Sequence, residues 1–241
     1  LVNVAIVVDG DTVQIKENQS PGAEFSISLA LTNGLHVLKV ICLNSGGEGV
    51  AASIKTFTGE DMPQIPTEVT AVAEESGKVT LSWTLPEAGI NGGWVNLTKV
   101  SYDILRNGES LSTDIKETTY IDNLPENELK SYKYTVIVKF GGEECGLVES
   151  NSVVFGKAVS LPYEQTFEDA SSFDLLNVID NNGDGVTWQF DTGQFSAGYT
   201  FSADNAADDY LVLPKMTFKA YNVYQLSFDI CSGSGYNAEI I

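Results

Sequence analysis

The alternation of apolar and polar residues along most of the chain is the feature that most constrains its fold. Every second residue is apolar in the segments 79–84 and 132–139. Successive side chains of a strand point to opposite faces of a sheet, so this period of two predicts antiparallel strands with one face on a core. No stretch keeps the i, i+3, i+4, i+7 spacing of an amphipathic helix over several turns. We therefore expect an all-β fold.

The charge balance limits the partners of such a fold. The 241 residues include 13 basic and 33 acidic side chains, which gives a net charge of −20 at pH 7. This charge repels phosphate backbones and anionic lipid headgroups, so we expect neither nucleic acid nor a membrane surface as a partner. No apolar run is long enough to insert into a membrane. The many carboxylates favour hard cations such as calcium.

Two changes in composition divide the chain. The segment 59–66 combines two prolines with charged residues, which is typical of a short, stiff linker. A second change follows at 156–162, beyond which acidic residues dominate. We expect three modules: module one at 1–61, module two at 62–157 and module three at 158–241.

Modules one and two repeat the same pattern. Residues 4–13 and 102–111 each contain an apolar run, an Asp-Gly or Asn-Gly dipeptide and a returning run. These dipeptides adopt positive φ at low cost and are a strong β-hairpin signal. Residues 34–44 and 131–140 form a second matching pair, each followed by Gly-Gly-Glu. The two modules are expected to share a fold.

Module two resembles a fibronectin type III domain over residues 64–157. The resemblance rests on an opening Ile-Pro, Trp83 on the second strand, the Asn107-Gly108 hairpin, and Leu124-Pro125 leading to Tyr132. It implies a sandwich with Trp83 in the core and Tyr132 as the tyrosine corner.

Module one resembles the latter part of the same sandwich, or of a related bacterial immunoglobulin-like domain. His36 stands at the corner position. The opening two strands of such a domain are not in this sequence. We expect either that the chain was cut there or that those strands come from elsewhere.

Module three resembles the opening half of the choice-of-anchor J jelly-roll domain, which is related to the cleaved-adhesin modules of gingipains. Four blocks in the family's order carry the resemblance: 161–168, 178–188, 207–214 and 224–229. Tyr210 and Leu213 depart from the family's usual Trp and Thr. A complete jelly roll has eight strands in two sheets, so the resemblance implies only part of one.

The segment 180–191 predicts a calcium-type loop. Its first half, Asp-Asn-Asn-Gly-Asp-Gly, places hard oxygen ligands at Asp180, Asn182 and Asp184, and Asp191 falls at position twelve. The family resemblance adds Glu168, so Glu168 or Asp191 is expected to complete the shell. A strand pattern follows the loop, which argues against an EF-hand. The alternative is a turn in which the Asn and Asp side chains accept backbone hydrogen bonds.

Catalysis is not expected, and we predict that the chain is not an enzyme. His36 is the only histidine, it belongs to a different module from Cys145 and Cys231, and no Gly-x-Ser-x-Gly sequence is present. The three cysteines fall in different modules, so no intradomain disulfide is expected. Cys42 and Cys231 stand in apolar strand patterns and are expected to be buried packing residues.

The leading hypothesis is a secreted or bacterial cell-surface adhesion protein. Trp94 is the candidate ligand-binding residue. This residue follows Asn91-Gly-Gly in a long loop, where an exposed ring would stack on a sugar; the alternative is a ring packed in the core. The jelly-roll module would then be presented on sandwich spacers to a host protein or glycan. The alternatives are an accessory region that targets an extracellular hydrolase to carbohydrate or cell wall, and a purely structural stalk. We expect a monomer with calcium in a structural role.

Overall fold

The computed structural model describes residues 1–127, 129–200, 204 and 206–231. It forms two compact units, 1–156 and 157–241, and each is treated by itself. Strands make up nearly all of the regular structure, so the expected all-β fold class is confirmed. None of the helices within the described residues has the length and apolar character needed to span a bilayer.

Module one is a single antiparallel sheet. Its strands are β1 (Val2–Val8), β2 (Asp11–Gln19), β3 (Gly34–Asn44), β4 (Gly47–Glu48) and β5 (Ala52–Thr58). β1 lies between β2 and β3, and β5 pairs with β3. Asp9 and Gly10 form the turn between β1 and β2 with φ of 53° and 101°, as the Asp-Gly dipeptide predicts.

One face of this sheet carries exposed apolar side chains. Ile6 pairs with Val40 and Val4 pairs with Cys42, so these residues share a face, on which Val4 and Ile6 are buried whereas Val40 and Cys42 of β3 are exposed. Val40 is 41% exposed. Ile54, on the neighbouring strand β5, lies on the same face because it pairs with Leu38, and its side chain is exposed.

All three cysteines are free, as expected. The expectation that Cys42 and Cys231 are buried is wrong, because both are exposed. Cys42 lies on the exposed apolar face of the first sheet. Cys231 lies beyond the last strand of the described residues, where no sheet packs over it.

His36 connects the β1–β2 hairpin to the segment that precedes β3. The ring is buried, with Nδ1 2.7 Å from Asp9 Oδ2 and Nε2 2.8 Å from the Thr32 carbonyl oxygen. A hydrogen bond to a backbone carbonyl a few residues upstream is the contact typical of a corner residue. Both partners are acceptors, so the ring satisfies both only when each nitrogen carries a proton.

The ionisation of His36 provides a direct test of this arrangement. The hydrogen bond to the Asp9 carboxylate, followed by the one to Thr32, raises the pKa of His36 above its ordinary value of 6.5. As the only histidine, it gives one ring resonance to follow by NMR, and we expect a titration midpoint above 6.5. Asp9→Asn should lower the midpoint.

The same shift fixes the sign of the pH dependence of stability. The folded pKa is raised, so the pair's stabilisation is complete below the unfolded value of about 6.5 and is lost as the pH rises through the folded pKa. A wild-type midpoint at or below 6.5 would contradict the protonated, doubly bonded ring.

Module two is a two-sheet sandwich. Its strands are β6 (Val69–Ala73), β7 (Lys78–Trp83), β8 (Val100–Arg106), β9 (Glu109–Ile115), β10 (Thr119–Asn123), β11 (Lys130–Tyr132), β12 (Tyr134–Phe140), β13 (Glu143–Glu149) and β14 (Val153–Phe155). One sheet has the order β10-β7-β6 and the other β13-β12-β8-β9, while β11 pairs with β14. One hydrophobic cluster contains residues from both sheets.

The core of module two confirms two predictions. Trp83 is buried, and its ring meets that of Tyr102 edge to face with centroids 5.2 Å apart. Asn107 and Gly108, with φ of 48° and 83°, form the tip of the β8–β9 hairpin. Tyr132 is buried beneath the Arg106 guanidinium, and its role as the tyrosine corner stays a prediction.

A buried polar triad joins the two sheets. Asp122 Oδ2, on β10, accepts hydrogen bonds from the Tyr134 hydroxyl at 2.9 Å and from Arg106 Nη1 at 2.8 Å. Burial and then the Asp122 hydrogen bond raise the pKa of Tyr134, so the hydroxyl stays a donor at neutral pH.

Removal of the Tyr134 hydroxyl should destabilise module two. Tyr134→Phe leaves the ring in place but deletes a hydrogen bond to a charged acceptor, which costs about 1.5–3 kcal/mol. Urea unfolding followed by tryptophan fluorescence measures the loss. The control is Tyr120→Phe, which deletes a hydroxyl without a hydrogen bond among the described residues. Equal changes for the two variants would show that the triad contributes nothing.

The second unit contains less regular structure. Helix α1 (Ala170–Phe173) precedes strands β15 (Asn177–Asp180), β16 (Gln189–Asp191), β17 (Ser196–Gly198) and β18 (Asp209–Val212). β15 pairs with β18 and β16 pairs with β17, both antiparallel. The assignment of this unit to a jelly roll stays a prediction.

Candidate functional site

Trp94 lies near the end of the long loop between β7 and β8. Its side chain is 64% exposed, whereas the next residue, Val95, is buried in the module two core. Beyond it, the Asn96 side chain accepts a hydrogen bond from Thr98 and caps a short 3-10 turn. Anchors on the C-terminal side of Trp94 therefore fix its backbone while the ring faces solvent.

The loop is also hydrogen-bonded to the segment between β5 and β6. The backbone N–H of Asp61 donates to the Trp94 carbonyl oxygen at 2.8 Å, and the N–H of Ile90 donates to that of Met62 at 2.9 Å. Met62 and Ile90 have exposed side chains. The segment 59–66, which the sequence predicts as a linker, is thus hydrogen-bonded to the loop that carries Trp94.

An exposed Trp94 ring on an anchored backbone suits non-covalent binding. An exposed indole offers a flat apolar face and one N–H donor, which together suit a sugar ring or an apolar side chain. A fixed backbone reduces the ordering cost of binding. The role of Trp94 as a ligand contact stays a prediction.

The Asp180 loop folds around its first residue. Asp180 Oδ1 accepts hydrogen bonds from the N–H groups of Gly183 at 2.7 Å and Asp184 at 3.3 Å, and Oδ2 accepts one from Gly185 at 2.9 Å. Asn182 Nδ2 donates to Asp184 Oδ2 at 3.2 Å. The structure therefore brings together three of the predicted calcium ligands, Asp180, Asn182 and Asp184.

The other two predicted ligands do not join this loop. Asp191 lies in the β16–β17 turn, where Oδ1 accepts from Gly193 and Gln194. Glu168 is exposed ahead of α1. Within the described ranges, no three His, Cys, Asp or Glu side chains are close enough to hold a metal ion. The predicted five-residue set is not assembled, because strand β16 carries Asp191 away.

The partner segment of this loop was not predicted from the sequence. Asp209 pairs directly with Asp180 across the β15–β18 ladder, and Asn181 Nδ2 donates to Asp208 Oδ2 at 2.6 Å. Asp209 Oδ2 accepts from the Tyr199 hydroxyl at 3.0 Å, whereas its Oδ1 is buried without a hydrogen-bond partner among the described residues. The sequence signal for this segment was the Asp208-Asp209 pair, which stands at the start of strand β18.

The side chains of Asp180, Asn182 and Asp184 each accept a backbone N–H group within the loop, as the turn alternative predicts. Like charges directly opposite one another in a ladder are destabilising, and a buried carboxylate oxygen without a donor has a desolvation cost that a cation offsets. Calcium prefers carboxylate and amide oxygens of this kind. Asp180 and Asp184, with the Asn182 side-chain oxygen, are the loop residues that would hold it, and no third acidic side chain among the described residues is close enough to join them.

The solved structures to which the chain is similar include two fibronectin-like proteins and one receptor region. A Fn3-like protein from Clostridium thermocellum is 24% identical, with 39% of this chain and 93% of that chain covered and a TM-score of 0.28. Domains d3-d4 of the rat CD45 extracellular region are 11% identical, with 60% and 76% covered and a TM-score of 0.32. The fibronectin(III)-like modules of Clostridium thermocellum CbhA are 14% identical, with 64% and 77% covered and a TM-score of 0.25.

No protein-family model and no curated protein matches the chain. Each TM-score is below 0.5, so the fold assignment rests on the strand order. The three-stranded and four-stranded sheets of module two, with their shared core, are a fibronectin type III or immunoglobulin-like sandwich.

Proposed function

We propose that the chain is a non-catalytic binding region of a secreted or cell-surface bacterial protein, whose target is a host protein or glycan. The observation that carries the proposal is the Trp94 ring, 64% exposed on a loop whose backbone is fixed. The net charge of −20 favours a neutral or cationic target over nucleic acid or an anionic membrane.

The extracellular location is part of the proposal. Sandwich domains of this architecture are common in cell-surface proteins, which is an analogy of fold rather than of site. In this proposal the second unit is the opening part of a choice-of-anchor J jelly roll. The stalk alternative is favoured by the hydrogen-bonded segment between β5 and β6, which suits a spacer. Under the hydrolase alternative, the same Trp94 surface would bind carbohydrate or cell wall.

Substitution of Trp94 tests the binding surface. The probes are soluble xylan, β-glucan, mucin glycans, collagen and fibrinogen, each measured by biolayer interferometry. Trp94→Ala should weaken binding to the positive probe about 30-fold, because truncation of a central aromatic contact costs roughly 2 kcal/mol. The control is Leu97→Ala, which removes another exposed apolar side chain from the same loop and should leave binding within about twofold.

The probe that binds separates the alternatives. Collagen, fibrinogen or mucin binding supports adhesion, whereas binding to xylan or β-glucan alone supports the hydrolase accessory region. If none of the probes binds, the chain is a structural stalk. Equal affinities for the wild type and Trp94→Ala would remove Trp94 from the site.

We also propose that the Asp180 loop binds one calcium ion with a structural role in the second unit. Asp180, Asn182 and Asp184 are brought together, and the unpartnered Asp209 oxygen lies on the strand paired with Asp180. Calcium would neutralise these carboxylates. An ion that binds only the folded form adds about 2.7 kcal/mol at a hundredfold excess over Kd.

Calorimetry of the full chain tests the calcium site. Millimolar calcium should raise the Tm of the second unit, and magnesium should raise it less because it requires a tighter octahedral shell. Asp184→Ala should abolish most of the rise. The control Asp191→Ala removes a carboxylate from the separate β16–β17 turn and should keep the rise. A wild-type melting curve that calcium does not move would identify the loop as a glycine-rich turn.

A further inference from the structure

The segment between β5 and β6 contains a buried carboxylate. Asp61 is 2% exposed. Its Oδ2 accepts hydrogen bonds from the N–H groups of Asn91 at 2.9 Å and Gly93 at 3.0 Å, and its Oδ1 accepts from Asn91 Nδ2 at 3.0 Å and Met62 N–H at 2.9 Å. Three of these four donors belong to the loop that carries Trp94. Asp61 therefore joins the end of module one to the loop of module two.

The charge on Asp61 is stabilised by these donors. Burial alone would raise the pKa of Asp61, but the hydrogen bonds from Asn91, Gly93 and Met62 outweigh it and hold the pKa below the ordinary value. Hydrogen bonds to an ionised acceptor are about twice as strong as neutral ones. The carboxylate remains an acceptor for all four donors at neutral pH.

The loop approaches Asp61 and module one too closely for any side chain at two positions. A Cβ at Gly93 would lie 2.6 Å from Cδ1 of Phe57, which belongs to β5, and 2.9 Å from the Asp61 Cβ. A Cβ at Gly89 would lie 2.2 Å from Asp61 Oδ2. Glycine is required at both because backbone and neighbouring side chain are in direct contact.

We propose that Asp61 is a positioning residue that locks modules one and two at a fixed angle and holds the Trp94 loop in place. The exposed side chains of Met62, Ile90 and Trp94 then form one rigid surface at the joint. A partner that stacks on Trp94 contacts a surface of module two that Asp61 and Phe57 of module one hold from behind. The fixed angle stands on the contacts alone, whereas the use of this surface by a partner rests on the proposed function.

Distances between the modules test the lock. Spin labels at the exposed Cys42 of module one and at a Glu109→Cys substitution of module two are measured by double electron–electron resonance, with Cys145→Ser and Cys231→Ser in the full chain. The unaltered joint should give one narrow distance distribution. Asp61→Ala should at least double its width, because three loop donors lose their acceptor.

The matched control is Glu60→Ala. It deletes the exposed ion pair with Lys99 and leaves Asp61 in place, and an exposed pair contributes little, so the distribution should stay narrow. A second variant, Gly93→Ala, alters the loop instead of the carboxylate, because its Cβ would clash with Phe57. It should broaden the distance distribution as Asp61→Ala does. This variant carries the test if Asp61→Ala fails to fold.

Two results would overturn the lock. One is a broad distribution in the unaltered joint, and the other is a narrow one in both Asp61→Ala and Gly93→Ala. The distances are measured without a ligand, so failure of the lock and failure of the proposed function give separate results. A confirmed lock with no binding to any probe would leave the joint as the rigid element of a stalk.

Discussion

Burial of one face of the β8–β12 strand pair is the constraint on which the first unit depends. Tyr102, Ile104, Val136 and Val138 have no exposed surface, and Ile104 pairs directly with Val136. A slip of one residue would turn this whole set toward solvent. The chain enters β8 from the loop that contains Val95, so burial of Val95 ties the loop to the same core. The exposure of Trp94 one position earlier is a consequence of that anchor.

Module one has the same strand pairing with a different outcome. Ile6 and Val40 pair as Ile104 and Val136 do, but Val40 is 41% exposed whereas Val136 is fully buried. The segment between β2 and β3 places apolar residues at every second position, 25 to 31, yet forms no strand among the described residues. The expectation that modules one and two share a fold is therefore wrong among the described residues, because module one is a single sheet rather than a two-sheet sandwich and draws less stability from apolar burial. Its hydrogen bonds, including those of His36 and Asp61, matter correspondingly more.

Local signals predicted the parts of the fold that depend on near neighbours. The Asn107-Gly108 turn, the alternating strands and Trp83 follow from residues adjacent in sequence, and the structure confirms them. Asp61 could not be predicted, because its donor Asn91 lies 30 positions away and a charged, proline-containing segment is typical of a linker. The placement of Asp191 at position twelve of the Asp180 loop did not bring it to that loop for a related reason. The count assumes a continuous loop, whereas strand pairing removes Asp191 and brings Asp209 beside Asp180.

The excess of acidic residues leaves carboxylates that must find partners other than Lys and Arg. With 13 basic residues for 33 acids, most carboxylates cannot pair with Lys or Arg. Asp122 does so through Arg106. Asp61 is instead stabilised by N–H groups from the loop that contains Gly89 and Gly93, and Asp180 by those of Gly183 and Gly185. Glycine lets several N–H groups converge on one anion. Three donors of the first loop, together with the Met62 N–H, satisfy the Asp61 carboxylate, whereas on the strand paired with Asp180 one buried Asp209 oxygen has no donor among the described residues.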